Sequence, residues 1–325
     1  MTHYDVFNGD ADGICALQQL RVSDPKSSKL ITGVKRNIQL LQNISGVSGD
    51  SVTVLDISLD KNRADLIRLL NDGLKVEYFD HHYTGEIPTH ANLRTHIDTS
   101  SDICTSLIVD NYLSGAHRLW AIVGTFGDSF DDKANNLADL LSLTITQTGD
   151  LKNLGTAINY NAYGASEDDL HFKPDFLANA IRPFSNPFDF IKESDISATL
   201  QAGYEEDLNK AKHITVEVET AHTALYILPN QPWARRVSGV FANLLSKKYP
   251  KKAHALLTEQ DGNSYLVSVR APLTTKTGAD KLCRQFATGG GRKAAAGINS
   301  LLNRDYEIFL NKFNLQFNGI NKINN

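Results

Sequence analysis

The feature that most limits the fold is the regular alternation of strand patterns and helix patterns along the first 80 residues. These short patterns fall at residues 4–7, 14–21, 29–34, 51–57, 60–73 and 74–80. Strands that alternate with helices at this spacing predict βαβ units and a parallel sheet with flanking helices. Ligands of such sheets bind beyond the carboxyl ends of the strands. Side chains at those ends are therefore the first candidates for a functional site.

The length and the change of pattern along the chain predict two domains of ordinary size. The chain has 325 residues, more than one average domain needs. We expect a first α/β domain over 1–185 and a connecting segment with a polar helix over 186–214. A smaller α/β domain is expected over 215–325, where strand patterns alternate with amphipathic helix patterns.

The composition indicates which cellular compartment and which classes of binding partner to expect. A formal net charge of -4 argues against a protein that holds long nucleic acid mainly through phosphate contacts. Three widely spaced cysteines fit neither a disulfide framework nor a zinc knuckle, and they suit a reducing cytoplasm. The sequence shows no signal-peptide pattern and no apolar run long enough to span a membrane. We expect a cytoplasmic protein without a membrane partner, with a homodimer left open.

Acidic residues stand at several predicted element ends. The stretch "FNGDADGICA" places Asp10 and Asp12 two positions apart after the first strand, so that in extended backbone they point to the same side. Asp56 ends the strand "SVTVLD", and Asp128 lies between glycines and Phe130 in "GTFGDSF". Taken singly, each also fits a turn or a helix cap.

The stretch "FDHHY" is harder to explain as a core or as a turn. It places Asp80, His81 and His82 together at the end of a predicted strand. Four aspartates and one imidazole form a set of hard oxygen ligands with one nitrogen, which suits Mn²⁺ or Mg²⁺ better than zinc. One aspartate that bridges two ions about 3.5–4 Å apart would form a two-metal centre that activates water for attack on phosphorus.

With these residues, the chain resembles the DHH superfamily of phosphoesterases. The motifs "DADG", the strand-end aspartate, "DHH" and "GTFGD" follow the family's order, and "GGGRKAAAG" at 289–297 resembles the signature of the DHH-associated domain. The resemblance covers almost the whole chain. It implies an enzyme with a catalytic DHH domain, a smaller DHH-associated domain that binds substrate, and an active-site cleft between them.

The resemblance also implies roles for individual residues. The implied ligands of two Mn²⁺ ions, with Mg²⁺ as the alternative, are Asp10, Asp12, Asp56, His81 and Asp128. Asp56 would bridge the ions, His82 would stabilise charge or protonate the leaving oxygen, and Asp80 would orient a histidine. Many members with small substrates carry a histidine at the position of Val6, and the superfamily's single-strand DNA exonucleases lack this histidine as this chain does. Asn8 or water would then complete the shell of the first ion.

The glycine-rich stretch near residue 290 is the candidate phosphate contact. Gly289, Gly290 and Gly291 would let backbone N–H groups approach an anion, and Arg292 replaces the family's usual histidine. We expect the alanine-rich segment that follows to start a helix, whose N-terminus would also favour anions. A flexible glycine loop is the alternative. Further candidate phosphate or base contacts are Arg270, Arg235 and Arg236.

The function expected from these features is Mn²⁺-dependent hydrolysis of short linear oligoribonucleotides. Dinucleotides such as pGpG are the expected size class, and 5′-mononucleotides are the expected products. The alternatives are a single-strand DNA exonuclease and a phosphatase for 3′-phosphoadenosine 5′-phosphate or short polyphosphate. A nucleotide-binding regulator without activity is the alternative from another class of protein.

Overall fold

The computed structural model describes residues 1–318, and the chain divides into two compact units between Tyr204 and Glu205. This division lies inside one helix, Asp195–Lys212. That helix lies within the segment predicted to connect the two domains.

The first unit contains a five-stranded parallel sheet. Its strands are β1 (His3–Phe7), β2 (Lys29–Ile31), β3 (Ser51–Leu55), β4 (Lys75–Asp80) and β5 (Leu93–Ile97). They lie in the order β2-β1-β3-β4-β5, and every neighbouring pair is parallel. The predicted parallel sheet is confirmed. The sequence did not predict β5, because its pattern of half-buried and mostly polar residues is weak.

Nine helices begin within the first unit. They are α1 (Ala11–Ser23), α2 (Leu59–Asn71), α3 (Thr105–Tyr112), α4 (Arg118–Gly127), α5 (Asp131–Leu140), α6 (Ile145–Asn161), α7 (Pro174–Ile181), α8 (Pro187–Glu193) and α9 (Asp195–Lys212). Short 3-10 turns cover Leu41–Asn43 and Glu167–Asp169. The prolines that open α7 and α8 occupy the first helical turn, where a missing N–H breaks no hydrogen bond.

The two faces of this sheet are buried against different helices. One face carries the buried side chains Val6, Val54 and Tyr78, which pack with residues of α2. The opposite face carries Phe7, Leu55 and Phe79, which pack with residues of α1 and α4. Because successive side chains alternate across a strand, covering both faces fixes the register and therefore the positions of the strand ends.

The second unit contains a mixed six-stranded sheet in the order β10-β11-β9-β8-β7-β6. Its elements are β6 (Val216–Glu219), β7 (Thr223–Leu228), α10 (Pro232–Lys248), β8 (Ala253–Gln260), β9 (Ser264–Arg270), α11 (Ala279–Cys283), β10 (Gly289–Gly291), β11 (Ala295–Leu302), a 3-10 turn (Asn303–Asp305) and α12 (Tyr306–Asn318). Only β7 and β8 pair in parallel among the described strands of this sheet. The expected α/β character of this part of the chain is confirmed.

The expectation that the alanine-rich segment after Arg292 starts a helix is wrong. It forms β11, which pairs in antiparallel fashion with β10 and with β9. The N–H of Arg292 donates to the carbonyl of Ala295 at 2.8 Å and closes the turn between β10 and β11. Pairing with β9 and burial of Ile298 and Leu301 outweigh the helix propensity of alanine. The contribution expected from a helix N-terminus is therefore absent at this turn.

Candidate metal centre

The carboxyl ends of β1, β3 and β4 bring the predicted acidic residues together. Asp10 follows β1 and caps α1, where its Oδ1 accepts the N–H of Gly13 at 3.1 Å. Asp56 follows β3 in a left-handed conformation with φ of 60°, and its N–H donates to Phe79 O at 3.0 Å. Aspartate tolerates this region better than most residues, and backbone strain of this kind is concentrated at functional sites.

Asp12 connects the first turn of α1 to the beginning of α3. Its two carboxylate oxygens accept the N–H groups of Thr105 and Ser106, each at 2.7 Å. These amides have no partner within the helix itself, so the carboxylate both satisfies them and lies at the favourable end of the helix dipole. The hydroxyl of Thr105 donates to Asp56 Oδ1 at 3.0 Å. The start of α3 thus fixes the positions of two predicted metal ligands.

His81 presents its Nε2 atom to the carboxylates. Its Nδ1 lies 2.9 Å from the carbonyl of Ile103, which can only accept, so Nδ1 carries the proton. Its Nε2 lies 3.5 Å from Asp56 Oδ1 and 3.8 Å from Asp128 Oδ2. A hydrogen bond that fixes the tautomer in this way is typical of histidines that bind a metal through the other nitrogen.

Two groups of side chains in residues 1–318 bring potential ligand atoms within 4.8 Å of one another. One group is Asp12, His81 and Asp128, and the other is Asp56, His81 and His82. Burial and the charges of nearby carboxylates raise the pKa of Asp56 well above its usual range. Burial likewise raises the pKa of Asp128. Crowded, buried carboxylates with one imidazole fit a divalent cation, because such a cation offsets the repulsion between the carboxylates.

Asp80 holds His82 beside this cluster. The buried Asp80 Oδ1 lies 2.7 Å from His82 Nδ1 and also accepts the N–H of His81 at 2.9 Å. Burial lowers the pKa of His82, but the hydrogen bond and charge of Asp80 outweigh it, so this pKa is raised overall. The His82 side chain keeps 43% of its surface exposed, so its protonated ring can reach a ligand.

Lys35, which no sequence motif indicated, lies in the same cluster. Its Nζ lies 2.5 Å from Asp10 Oδ2, 3.0 Å from Asn159 Oδ1 and 3.7 Å from Asp128 Oδ1. Burial lowers the pKa of Lys35, but the charge of Asp10 outweighs this, so the ammonium keeps its proton. Asn8 lies nearby, with its Oδ1 accepting the N–H of Asp10 at 3.3 Å. Lys35 follows β2, and β2 lies next to β1 in the sheet. This position is the signal in the sequence that could have identified Lys35.

The glycine-rich turn contains one glycine that the fold does not require. A Cβ at Gly289 would lie 1.7 Å from the carbonyl oxygen of Cys283, and one at Gly291, where φ is 131°, would lie 2.5 Å from the Cα of Ala296. A Cβ at Gly290 meets no described atom within 4 Å. Gly290 is therefore free of the packing constraint that holds its two neighbours.

The predicted arginines lie in different environments. Arg292 is exposed in the turn between β10 and β11. Arg270 donates from Nε to Asn243 Oδ1 at 2.9 Å, and Arg235 donates to Asn230. Arg236 is buried and forms an ion pair with Asp207, with Nη2 at 2.7 Å from the carboxylate. This contact gives Arg236 a packing role between α9 and α10.

Among residues 1–318, no helix is both long enough and apolar enough to cross a lipid bilayer.

Comparison of the sequence with protein-family models and with curated proteins gave no match. The solved structures that share the fold include the following three. A DHH-domain member of the s1p family of ribosomal proteins has a TM-score of 0.69 at 14% identity, over 97% of this chain and 86% of its own. The exonuclease RecJ bound to manganese has a TM-score of 0.62 at 14% identity, over 96% and 89%. PggH, a pGpG-specific phosphodiesterase from Vibrio cholerae, has a TM-score of 0.58 at 12% identity, over 98% and 99%. The resemblance predicted from the sequence is confirmed at the level of the fold, and the chain has the fold of the DHH-domain proteins.

Proposed function

We propose that this protein is a metal-dependent phosphodiesterase that hydrolyses short linear oligoribonucleotides. Dinucleotides such as pGpG are the proposed size class, 5′-mononucleotides are the products, and Mn²⁺ is the metal. The observation that carries the proposal is the buried cluster in which His81 Nε2 lies 3.5 Å from Asp56 and 3.8 Å from Asp128. The likeness to PggH and the net charge of -4 support a short substrate.

The ligands in this proposal are Asp12, Asp56, His81 and Asp128. When bound, a divalent ion supplies Lewis-acid activation of water and of the phosphoryl group. Ile103 O fixes the proton of His81 on Nδ1, and α3 fixes the carboxylate of Asp12. These contacts hold the ligands in place before a substrate arrives, so little rearrangement accompanies the reaction.

His82 is proposed to act on the leaving oxygen. Asp80 accepts from Nδ1 and favours the protonated ring, which can then donate a proton from its other nitrogen as the bond to phosphorus breaks. Gly290 and Arg292 are proposed to contact a phosphate of the substrate. Arg270 and Arg235 are proposed as weaker contacts.

A single-strand DNA exonuclease is the second candidate, because the fold is also that of RecJ. The two candidates are separated by incubating the purified protein and Mn²⁺ with labelled pGpG, longer RNA, single-stranded DNA and 3′-phosphoadenosine 5′-phosphate. We expect cleavage of the dinucleotide to exceed that of the longer substrates. Cleavage confined to long DNA would favour the exonuclease, and tight binding of nucleotides without any hydrolysis would favour a regulator.

An isosteric variant identifies the site in the same assay. Asp56→Asn should abolish cleavage, because it removes the central charge of the cluster. Asp98→Asn is the matched control, since Asp98 follows β5 at the same edge of the sheet but belongs to neither ligand group. Equal activity in Asp56→Asn and Asp98→Asn would show that the cluster has no part in the hydrolysis.

A further inference from the structure

Asp10 is the predicted metal ligand that the structure leaves outside both ligand groups. Its Oδ1 accepts the N–H of Gly13, and its Oδ2 lies 2.5 Å from the ammonium of Lys35. Two nearby amide oxygens are also engaged, because Asn159 Oδ1 accepts from Lys35 and Asn8 Oδ1 accepts from the Asp10 N–H. A cation already neutralises Asp10, and that cation belongs to the chain.

Lys35 is held at both its backbone and its side chain. Its N–H donates to Ala162 O at 2.9 Å, and its carbonyl accepts from Asn8 Nδ2 at 3.3 Å. Its ammonium lies 5.4 Å from the ring centroid of Tyr163, a distance that suits a cation–π contact. Contacts from the exit of β1 and from the end of α6 therefore place the ammonium with little freedom.

The ammonium has capacity for one more partner. It carries three donors, of which two meet Asp10 and Asn159. The Lys35 side chain keeps 25% of its surface exposed, so an anion can approach it. Asp128, a proposed metal ligand, lies 3.7 Å from the same nitrogen. A phosphate at the metal would therefore lie within reach of Lys35.

We propose that Lys35 takes the place of a second metal ion. In this proposal each chain binds one divalent ion through Asp12, Asp56, His81 and Asp128, and the ammonium of Lys35 contacts the phosphate from the side of Asp10. A second divalent ion at Asp10 would be repelled by the ammonium, whose Nζ lies 2.5 Å from Asp10 Oδ2. The proposal rests on the metal site of the proposed function, and it replaces the two ions that the sequence resemblance implies with one ion and the ammonium of Lys35.

The first test counts ions in the full chain without any substrate. Mn²⁺ is titrated into apo protein by calorimetry, and the product is examined by electron paramagnetic resonance. We expect about one Mn²⁺ per chain and the spectrum of an isolated ion. Two ions per chain with a spin-coupled spectrum would overturn the proposal.

The second test measures binding of inorganic phosphate to the Mn²⁺-loaded protein. Lys35→Met should weaken phosphate binding by about tenfold or more, because a charged donor is lost. Lys35→Arg should restore most of the affinity. Lys133→Met is the matched control, since Lys133 forms an ion pair with Asp102 on the surface of the same unit. Unchanged phosphate affinity in Lys35→Met would overturn the proposal.

Loss of the Lys35 partner leaves Asp10 charged and buried, so Lys35→Met alone can fail to fold. The double variant Asp10→Asn, Lys35→Met removes both charges and should show the same loss of phosphate affinity. Neither measurement uses hydrolysis. One ion and Lys35-dependent phosphate binding in a protein that cleaves none of the test substrates would refute the proposed function and leave the role of Lys35 intact.

Discussion

The most informative perturbation of the metal centre is Asp56→Asn, because it changes charge and almost nothing else. The amide oxygen of asparagine can still accept the hydroxyl of Thr105, which lies 3.0 Å from Asp56 Oδ1. Asparagine also adopts the left-handed conformation that this position requires, with φ of 60°. Burial and the neighbouring carboxylates raise the pKa of Asp56, so loss of its charge removes repulsion from the apo protein. We expect the free energy of unfolding of the apo variant to lie within about 1 kcal/mol of that of the apo native protein.

The loaded protein should behave differently. At a Mn²⁺ concentration about 100 times Kd, binding stabilises the native state by about 2.7 kcal/mol. Loss of a central ligand should raise Kd by about 100-fold, so that the same concentration stabilises the variant by only about 0.4 kcal/mol. The first unit spans Met1–Tyr204. For a domain of this size the Mn²⁺-induced rise in Tm falls from about 5–11 °C to about 1–2 °C.

The assay is thermal unfolding with and without Mn²⁺, followed by calorimetry. Asp98→Asn is the control, because it removes a carboxylate at the same sheet edge and should keep the full rise in Tm. A full Mn²⁺-induced rise in Asp56→Asn would refute the assignment of Asp56 as a ligand. A large loss of apo stability would instead show that its charge is structural.

Three further predictions concern the glycine turn, the buried histidine of β8 and the Asp80–His82 pair. Gly290→Ala should fold normally but raise KM for pGpG at least about tenfold if a phosphate approaches the backbone there; the control Gly149→Ala also meets no atom within 4 Å and should leave KM unchanged. Burial lowers the pKa of His254 to about 4, and neither of its ring nitrogens has a described partner. As the pH falls from about 6.5 to 4, the unfolded state takes up a proton before the folded state does, so this histidine should destabilise the fold by about 3 kcal/mol over that window. His254→Leu should remove this dependence in denaturant titrations, and an unaltered pH profile would contradict the assignment. Asp80→Asn should lower kcat by about 100-fold and move its decline with rising pH to lower pH, because the raised pKa of His82 depends on Asp80; an unshifted kcat profile would argue against His82 as the acid.

The fold of the first unit could be predicted because its signals are local and mutually consistent. Strand patterns of β-branched and aromatic residues, such as 51–57, alternate with helix patterns at a spacing that suits parallel pairing. The strand-end rule then placed Asp56 and the Asp80–His82 stretch at one edge without any knowledge of tertiary contacts. β5 was missed because its residues are half-buried and its pattern does not alternate clearly.

The second unit shows where local preference fails. Alanines at 294–296 favour a helix when read alone, yet the segment from Ala295 onward is a strand. The decisive contacts are non-local, since Ala296 pairs with Val269 and Gly291 pairs with Ala296. The tight turn, closed by the hydrogen bond from the N–H of Arg292 to Ala295 O, directs the next segment back along β10 as an antiparallel strand. Close backbone contacts that the sequence does not reveal require glycine at positions 289 and 291. No such contact with a described residue requires glycine at position 290.

Lys35 lies in the site but belongs to none of the sequence motifs that predicted the site. Its contacts with Asp10 and Asn159 join residues that are 25 and 124 positions apart. A lysine in a loop is usually a solvated charge, so nothing in its own neighbourhood identifies it. The strand-end rule does reach it, however, when β2 is treated like β1, β3 and β4, because β2 is parallel to β1 and its carboxyl end lies at the same edge. An edge that gathers several carboxylates needs positive charge, and a basic residue that follows a parallel strand is the first place to look for it.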